Sequence, residues 1–258
     1  MAASFPGIVM LEDAAAVARE GAARFIALAR EAIKDRGTFH VALSGGKTPA
    51  AMYRVLAADD VRPSVDWSRV QLYWSDERSV PPEHADSNFG MADRELITKI
   101  SIPAANVHRM EAERTDADRA AQEYEALLRK MLPSGPGGFP CLDLIYLGMG
   151  PDGHTASLFP GCVGLSEKSR GVIFQPVVIA DGSKTHRMTF TFPLLNAARV
   201  VLFLVTGADK TQRLREVLEG THTPPYPSQN VRPNAGERVF LADRAAAGAL
   251  GSTVGPRP

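Results

Sequence analysis

Phe39-His40-Val41-Ala42-Leu43-Ser44-Gly45-Gly46-Lys47-Thr48-Pro49 reads as a buried strand, a glycine-rich turn and the start of a helix. Phe39–Leu43 is a short apolar run bounded by turn residues, the pattern of a strand covered on both faces. Two adjacent glycines let backbone N–H groups approach an anion closely. Pro49 suits the first helical position, with Thr48 before it as the expected N-cap. A helix start carries about half a positive charge, so the turn is a candidate phosphate cradle. An ordinary strand-to-helix connection would fit the same residues. The nucleotide P-loop does not, because its spacing and terminal Lys-Ser/Thr pair are missing.

Outward from this unit the chain alternates β-rich runs with helical patterns. Ile8–Met10 leads to Asp13, an expected N-cap, and to a helix with Val17, Gly21, Ala22, Phe25, Ala29 and Ile33 at helical spacing. Val70–Trp74 is a second buried strand. Thr115 or Asp116 opens a helix reaching about Leu132, which the Pro/Gly stretch Pro133–Pro140 ends. Cys141–Leu147 is an apolar strand, and Arg199–Thr206 is another, followed by a helix from about Asp209 to Leu218. Met188, Phe190 and Phe192 alternate with Thr189 and Thr191, which predicts a half-exposed strand. Gly220–Ser228 reads as a loop, Val239–Ala242 as a last strand, and Gly255–Pro258 as a frayed end. Such alternation predicts an α/β fold, a mainly parallel sheet with helices on both faces. No repeat or composition break divides residues 1–258, so one domain is expected. In such sheets ligands bind beyond the carboxyl ends of strands.

A chain of 258 residues buries roughly 70–75% of its extended surface, enough for a core without disulfide or metal staples. Lys plus Arg equals Asp plus Glu at 29 each, so no global field draws nucleic acid or anionic lipid. Any bound anion must be held by local groups. Cys141 and Cys162 have no metal-type spacing and fit a reducing compartment. Early charges interrupt any signal-like N-terminus, and the Val200–Val205 run is too short to span a bilayer. A cytoplasmic protein is expected.

Three further segments carry chemistry. Trp74-Ser75-Asp76-Glu77-Arg78 follows the Val70 strand, where Asp76 and Arg78, two residues apart, can face one crevice. Leu147-Gly148-Met149-Gly150-Pro151-Asp152-Gly153-His154 formally contains the dinucleotide fingerprint GxGxxG. That fingerprint needs a full crossover helix, and here Pro160 and Gly161 stop any helix early. His154 fits a general base or acid better, since imidazole titrates near neutrality and the nearby Asp152 carboxylate can orient it. A histidine that merely packs a helix start is the plainer alternative. His186-Arg187 and Gly207-Ala208-Asp209-Lys210 add cations near strand ends, the place for a phosphate-directed charge. Histidine spacing suggests no metal site.

Ser44-Gly45-Gly46-x-Thr48-Pro49, Asp76-Glu77-Arg78-x-Val80-Pro81, Asp86-Ser87-Asn88-Phe89, Gly148-Met149-Gly150-x-Asp152-Gly153-His154-Thr155-Ala156-Ser157-Leu158-Phe159-Pro160-Gly161 and Thr206-Gly207-x-Asp209-Lys210 together resemble 6-phosphogluconolactonase. The likeness runs from about Ile8 to Leu250, with the Asp152–Gly161 run its most specific part. It implies a Rossmann-like fold shared with glucosamine-6-phosphate deaminase and ribose-5-phosphate isomerase, and opening of 6-phosphogluconolactone to 6-phosphogluconate in the oxidative pentose phosphate pathway. It points to His154 as general base with Asp76 and Arg78 beside it, and to Arg187 and Lys210 as phosphate ligands. Ser75 stands where the family often has Gly, and Lys47 and Ala50 also depart from its commoner residues.

The chemistry implied needs no cofactor or metal, only a base for water and a donor for the developing oxyanion. Ser44, Gly45, Gly46, Thr48, Arg187 and Lys210 are expected to hold the phosphate, Arg78 or backbone N–H groups to face the oxyanion, and Asp76 to orient Arg78 or a sugar hydroxyl. The expected partner is a small phosphorylated sugar lactone, not nucleic acid or membrane. Nothing in the sequence sets an oligomeric state. An amino-sugar phosphate deaminase or sugar-phosphate isomerase would want an acidic residue soon after His154, and Thr155–Pro160 has none. A non-catalytic sugar-phosphate binding protein would keep the cradle without needing His154.

Overall fold

The computed structural model describes residues 7–179, 182–220 and 222–250; the chain end Gly255–Pro258 lies outside the described residues. In chain order the first elements are β1 (Ile8–Leu11), α1 (Ala14–Arg36), β2 (Phe39–Leu43), α2 (Lys47–Ala57), β3 (Val70–Trp74), β4 (Asp76–Arg78) and α3 (Asn88–Glu95). Then follow α4 (Ala117–Met131), β5 (Leu144–Leu147), β6 (Val172–Val178), β7 (Lys184–Phe190), α5 (Phe192–Leu195), β8 (Val200–Val205), α6 (Thr211–Glu219), α7 (Pro227–Asn230) and β9 (Glu237–Asp243).

Six strands form a sheet in the order β1-β9-β8-β5-β2-β3, every neighbouring pair parallel. This is the expected α/β architecture. The short apolar strands sit in it for the expected reason: Phe39, Val41, Ala42 and Leu43 are fully buried, as are Val201, Leu202 and Phe203. From β2 the chain winds toward β3, and from β5 it winds the other way through β8 and β9. The crevice outside the carboxyl ends of β2 and β5 is therefore the topological switch point, where such sheets bind ligands.

Helix α1 starts as expected, with Asp13 Oδ1 accepting the Ala16 N–H at 2.7 Å, and ends at Gly37 in the left-handed region. Its buried stripe is Val17, Ala18, Gly21, Ala22, Phe25, Ala29 and Ala32. At Gly21 a β-carbon would fall 2.9 Å from Met52 Sδ, so the glycine permits the close approach of α2.

Other details differ from expectation. Helix α2 begins at Lys47, and Thr48 does not cap it. Gly46, at φ 112°, turns the chain into the helix early. Thr48 Oγ1 instead shares a hydrogen bond with Thr206 Oγ1 beyond β8, at 2.7 Å. β5 starts at Leu144 rather than Cys141. Asp143, just before it, accepts the His40 N–H at 2.9 Å and the Arg36 Nε–H at 3.1 Å.

A second sheet was not expected. β4, β7 and β6 form a three-stranded antiparallel sheet in that order. Ser75 joins the two sheets: its N–H donates to the Leu43 carbonyl at 2.9 Å, and its own carbonyl accepts the Phe190 N–H at 2.8 Å. β7 is also not half-exposed toward its end, because Thr189 and Thr191 are fully buried. Thr189 Oγ1 accepts the Ser157 N–H at 3.1 Å, and Thr191 Oγ1 donates to the Arg170 carbonyl at 2.6 Å. The loop after β5 thus covers the face that alternation assigned to solvent.

Candidate active site

Loops leaving β2, β3, β5 and β8 converge on one cavity of about 460 Å³ at the switch point, within the roughly 300–1,000 Å³ usual for small-molecule sites. Ser44, Gly45, Gly46 and Thr48 line it from β2, Asp76 and Arg78 from β4, His154 from the loop after β5, and Lys210 from the loop after β8. Residues up to 166 positions apart in sequence, Ser44 to Lys210, therefore meet. Arg187 is not among the lining residues. It stands opposite Arg78 in the β4–β7 register, and its Nη1 donates to Thr185 Oγ1 and the His186 carbonyl, each at 3.0 Å. Burial, then the charge of Arg78, pulls its guanidinium below the ordinary arginine range.

His154 is half-buried and held on two sides. Its Nδ1 lies 2.6 Å from Asp152 Oδ1, which also accepts the His154 backbone N–H at 3.1 Å. Its ring stacks on Phe159 with centroids 4.2 Å apart. Burial alone would push the Asp152 carboxyl up. The hydrogen bonds and charge of His154 outweigh that and leave it below the ordinary carboxylate range. An ionised carboxylate only accepts, so Nδ1 is the donor, and in the neutral ring Nε2 keeps its lone pair. The turn is built for this pair. A β-carbon on Gly150 would fall 2.1 Å from His154 Nδ1 and 2.6 Å from Asp152 Oδ1. Two residues on, Ala156 takes a left-handed φ of 47°, a conformation that costs a non-glycine residue about 1–3 kcal/mol and clusters at functional sites.

Asp76 is buried and does not pair with Arg78, contrary to one expectation. Its Oδ2 accepts from Ser157 Oγ at 2.7 Å, and Asn88 Nδ2 donates to its backbone carbonyl at 2.9 Å. Arg78 Nη1 instead donates to the Asp86 carbonyl at 2.6 Å. Ser157 ties the β5 loop to each strand of the small sheet, through Asp76, through Thr189 Oγ1, and through Gln175 Nε2, which donates to its carbonyl at 2.8 Å. The small sheet is thus the anvil on which the histidine loop rests.

At the other pole, Ser44 is 4% exposed and its Oγ has no hydrogen-bond partner among the described residues. A buried hydroxyl without a partner costs free energy unless a ligand or water meets it. Lys210 Nζ pairs with Asp209 Oδ2 at 2.8 Å, which holds the Asp209 carboxyl below its ordinary range. Lys47 is exposed at the cavity wall.

Sequence reading gave no role to Asn88, Glu77 or Ser157, although each sits in a quoted motif. Asn88 lines the cavity and lies against Gly45, where a β-carbon would fall 1.8 Å from its Oδ1. Glu77 is buried and accepts from the backbone of Arg78, Asn88 and Phe89 at 2.7–2.8 Å and from Ser87 Oγ at 3.1 Å. Burial pushes its carboxyl up despite the opposing N–H groups of Phe89, Asn88 and Arg78. It anchors the start of α3, and so places Asn88. Only the density of small polar residues in Asp86-Ser87-Asn88 could have signalled this.

Comparison with known proteins agrees with this architecture. A family profile described as glucosamine-6-phosphate isomerases/6-phosphogluconolactonase matches residues 12–240. The chain is 39% identical over 220 residues to the 6-phosphogluconolactonase of Nostoc, covering 85% of this chain and 88% of that one. It is 40% identical over 217 residues to that of Synechocystis, covering 84% and 86%. Among solved structures, the 6-phosphogluconolactonase of Trypanosoma brucei superposes with a TM-score of 0.86 at 27% identity, covering 96% of this chain and all of that one. The Thermotoga maritima 6-phosphogluconolactonase gives 0.78 at 31%, covering 92% and 99%. A monomeric glucosamine-6-phosphate deaminase shares the fold, with a TM-score of 0.77 at 17% identity, covering 94% and 99%. No helix among the described residues is long and apolar enough to cross a membrane.

Proposed function

The chain belongs to the glucosamine-6-phosphate isomerase/6-phosphogluconolactonase family, and we propose that it is an enzyme hydrolysing 6-phospho-D-glucono-1,5-lactone to 6-phospho-D-gluconate. The observation that carries this reading is the His154–Asp152 pair facing the same cavity as the Ser44-Gly45-Gly46 turn and Lys210.

His154 Nε2 takes a proton from water as the water oxygen bonds to C1, general-base help worth about 10²–10⁴-fold. Negative charge moves to the carbonyl oxygen, where Arg78 or neighbouring backbone N–H groups stabilise it. The bond from C1 to the ring oxygen then breaks, and the proton returns from His154 to that oxygen. Ser44, Gly45, Gly46, Thr48 and Lys210 hold the phosphate and so fix C1 beside the base. Asp76, held by Ser157 and Asn88, is left to accept from a sugar hydroxyl. Arg187, the register partner of Arg78 across β4 and β7, adds its positive charge beside the site without lining the cavity wall.

Relatives named for lactone hydrolysis, together with a base held for proton transfer from water, favour hydrolysis over amino-sugar deamination. Acid release from freshly prepared 6-phosphogluconolactone, measured above its spontaneous hydrolysis, tests the assignment. Ammonia release from glucosamine-6-phosphate without lactone hydrolysis would instead favour the deaminase.

A further inference from the structure

The turn that carries Asp152 and His154 is gripped from outside the cavity by residues that no step above uses. Arg213, on α6, donates from Nε to the Pro151 carbonyl at 2.9 Å and from Nη1 to Glu216 Oε2 at 2.7 Å. Its guanidinium lies over the Tyr226 ring, 3.9 Å from the centroid, and the Tyr226 hydroxyl donates to the same Glu216 oxygen at 2.9 Å. Tyr226 in turn presses on Gly153. That glycine has φ +79°, and a β-carbon there would fall 2.8 Å from Tyr226 Cβ, Cγ and Cδ1. The Ser228 N–H donates to the Gly153 carbonyl at 3.0 Å. Both neighbours of Asp152, Pro151 and Gly153, therefore have their carbonyls pinned by groups outside the cavity.

We infer that Arg213 and Tyr226 are positioning residues for the His154 base. Neither residue lines the cavity. Asp152 orients the imidazole through a 2.6 Å contact, and the direction of its carboxylate follows the backbone turn, whose Pro151–Asp152 peptide Arg213 holds and against whose Gly153 Tyr226 packs. Rotation of the Pro151–Asp152 peptide, or displacement of Gly153, swings Oδ1 away from Nδ1, releasing the ring and its tautomer. Arginine suits the task because one planar fork serves a carbonyl, a carboxylate and a ring face together; lysine offers one point charge. The inference rests on His154 being the base.

The test compares Arg213→Ala, Arg213→Lys, Tyr226→Phe and Tyr226→Ala, by steady-state hydrolysis of 6-phosphogluconolactone and by the ¹⁵N resonances of the His154 ring. Arg213→Ala is expected to lower kcat about tenfold to 10²-fold, the scale of a small misplacement of a reacting group, with KM nearly unchanged. Its His154 signals should move from the Nδ1–H tautomer to a mixture. Arg213→Lys should not restore turnover. Tyr226→Phe, which keeps the ring on Gly153, should retain it, and Tyr226→Ala should lose it. A rise in KM at unchanged kcat would assign Arg213 to anion binding and overturn the inference, as would wild-type kcat and tautomer in folded Arg213→Ala. If that variant does not fold, wild-type behaviour of Arg213→Lys and Tyr226→Ala overturns it equally. A wild-type protein that fails to hydrolyse the lactone would sink the proposed function, and the tautomer measurement would still decide the positioning.

Discussion

His154 Nδ1 and Asp152 Oδ1, two residues apart on one tight turn, lie 2.6 Å from each other. The contact makes Nδ1 the donor and leaves Nε2 as the nitrogen of the proposed base. Neutralising the carboxylate removes a charge-assisted hydrogen bond worth about 1.5–3 kcal/mol. Asp152→Asn is therefore expected to lower kcat roughly 10–100-fold, at about 1.4 kcal/mol per decade, with little change in KM. Steady-state kinetics check it, and unchanged turnover would mean that Asp152 only shapes the loop.

Gly45 and Asn88 form a coupled pair. A methyl group on Gly45 would meet Asn88 Oδ1 at 1.8 Å and push Asn88 off Asp76. Gly45→Ala should reduce kcat/KM strongly, and adding Asn88→Ala should cost less than the two single losses combined, because the clash is gone. Additive losses in the double-mutant cycle would show that the two residues act separately.

Lys210 lines the cavity and Arg187 does not. Lys210→Ala is expected to raise KM about tenfold or more, as loss of a charged hydrogen bond to phosphate implies, while kcat falls less. Arg187→Ala should leave KM for the lactone closer to wild type. The reverse ranking would return Arg187 to the phosphate.

How much of this was readable beforehand depended on what each segment buries. β2 and β8 announce themselves because a strand covered on both faces must be apolar throughout. β4 could not, since its residues are Asp76, Glu77 and Arg78 and nothing in their hydropathy marks a strand. They are paired because β7 lies beside them, which is a tertiary fact. Pro176 likewise obscured β6. The histidine loop, both glycine turns and Lys210 were legible from their position after strands. Arg187 was less legible, because its place opposite Arg78 and outside the cavity wall is set by the pairing of β4 with β7. Thr48 misled because its hydroxyl found Thr206, distant in sequence, instead of its own helix.

Acid should weaken the fold before carboxylates titrate. Burial is the main cause that lowers both His40 and His108 below the ordinary imidazole range; for His40 the nearby Asp143 opposes this, and His108 and Arg36 add to it. His40 Nδ1 lies 3.2 Å from Tyr73 Oη, whose ring stacks on His108, and His108 Nε2 meets Gln71 Oε1 at 2.8 Å. The unfolded chain therefore binds more protons, so stability present above about pH 6.5 is lost as pH falls toward the lowered folded values. Urea midpoints should drop between about pH 7 and 5, and His40→Gln with His108→Gln should flatten that slope. An unchanged slope would move the effect to other groups.

The decisive measurement is the initial rate of acid release from fresh 6-phosphogluconolactone, over the uncatalysed blank, for wild type and His154→Ala side by side. The wild type should exceed the blank, and the variant should lose about 10²–10⁴-fold in kcat while KM stays close to the wild-type value. A His154→Ala enzyme that turns over like the wild type would contradict the assignment of this imidazole as the base.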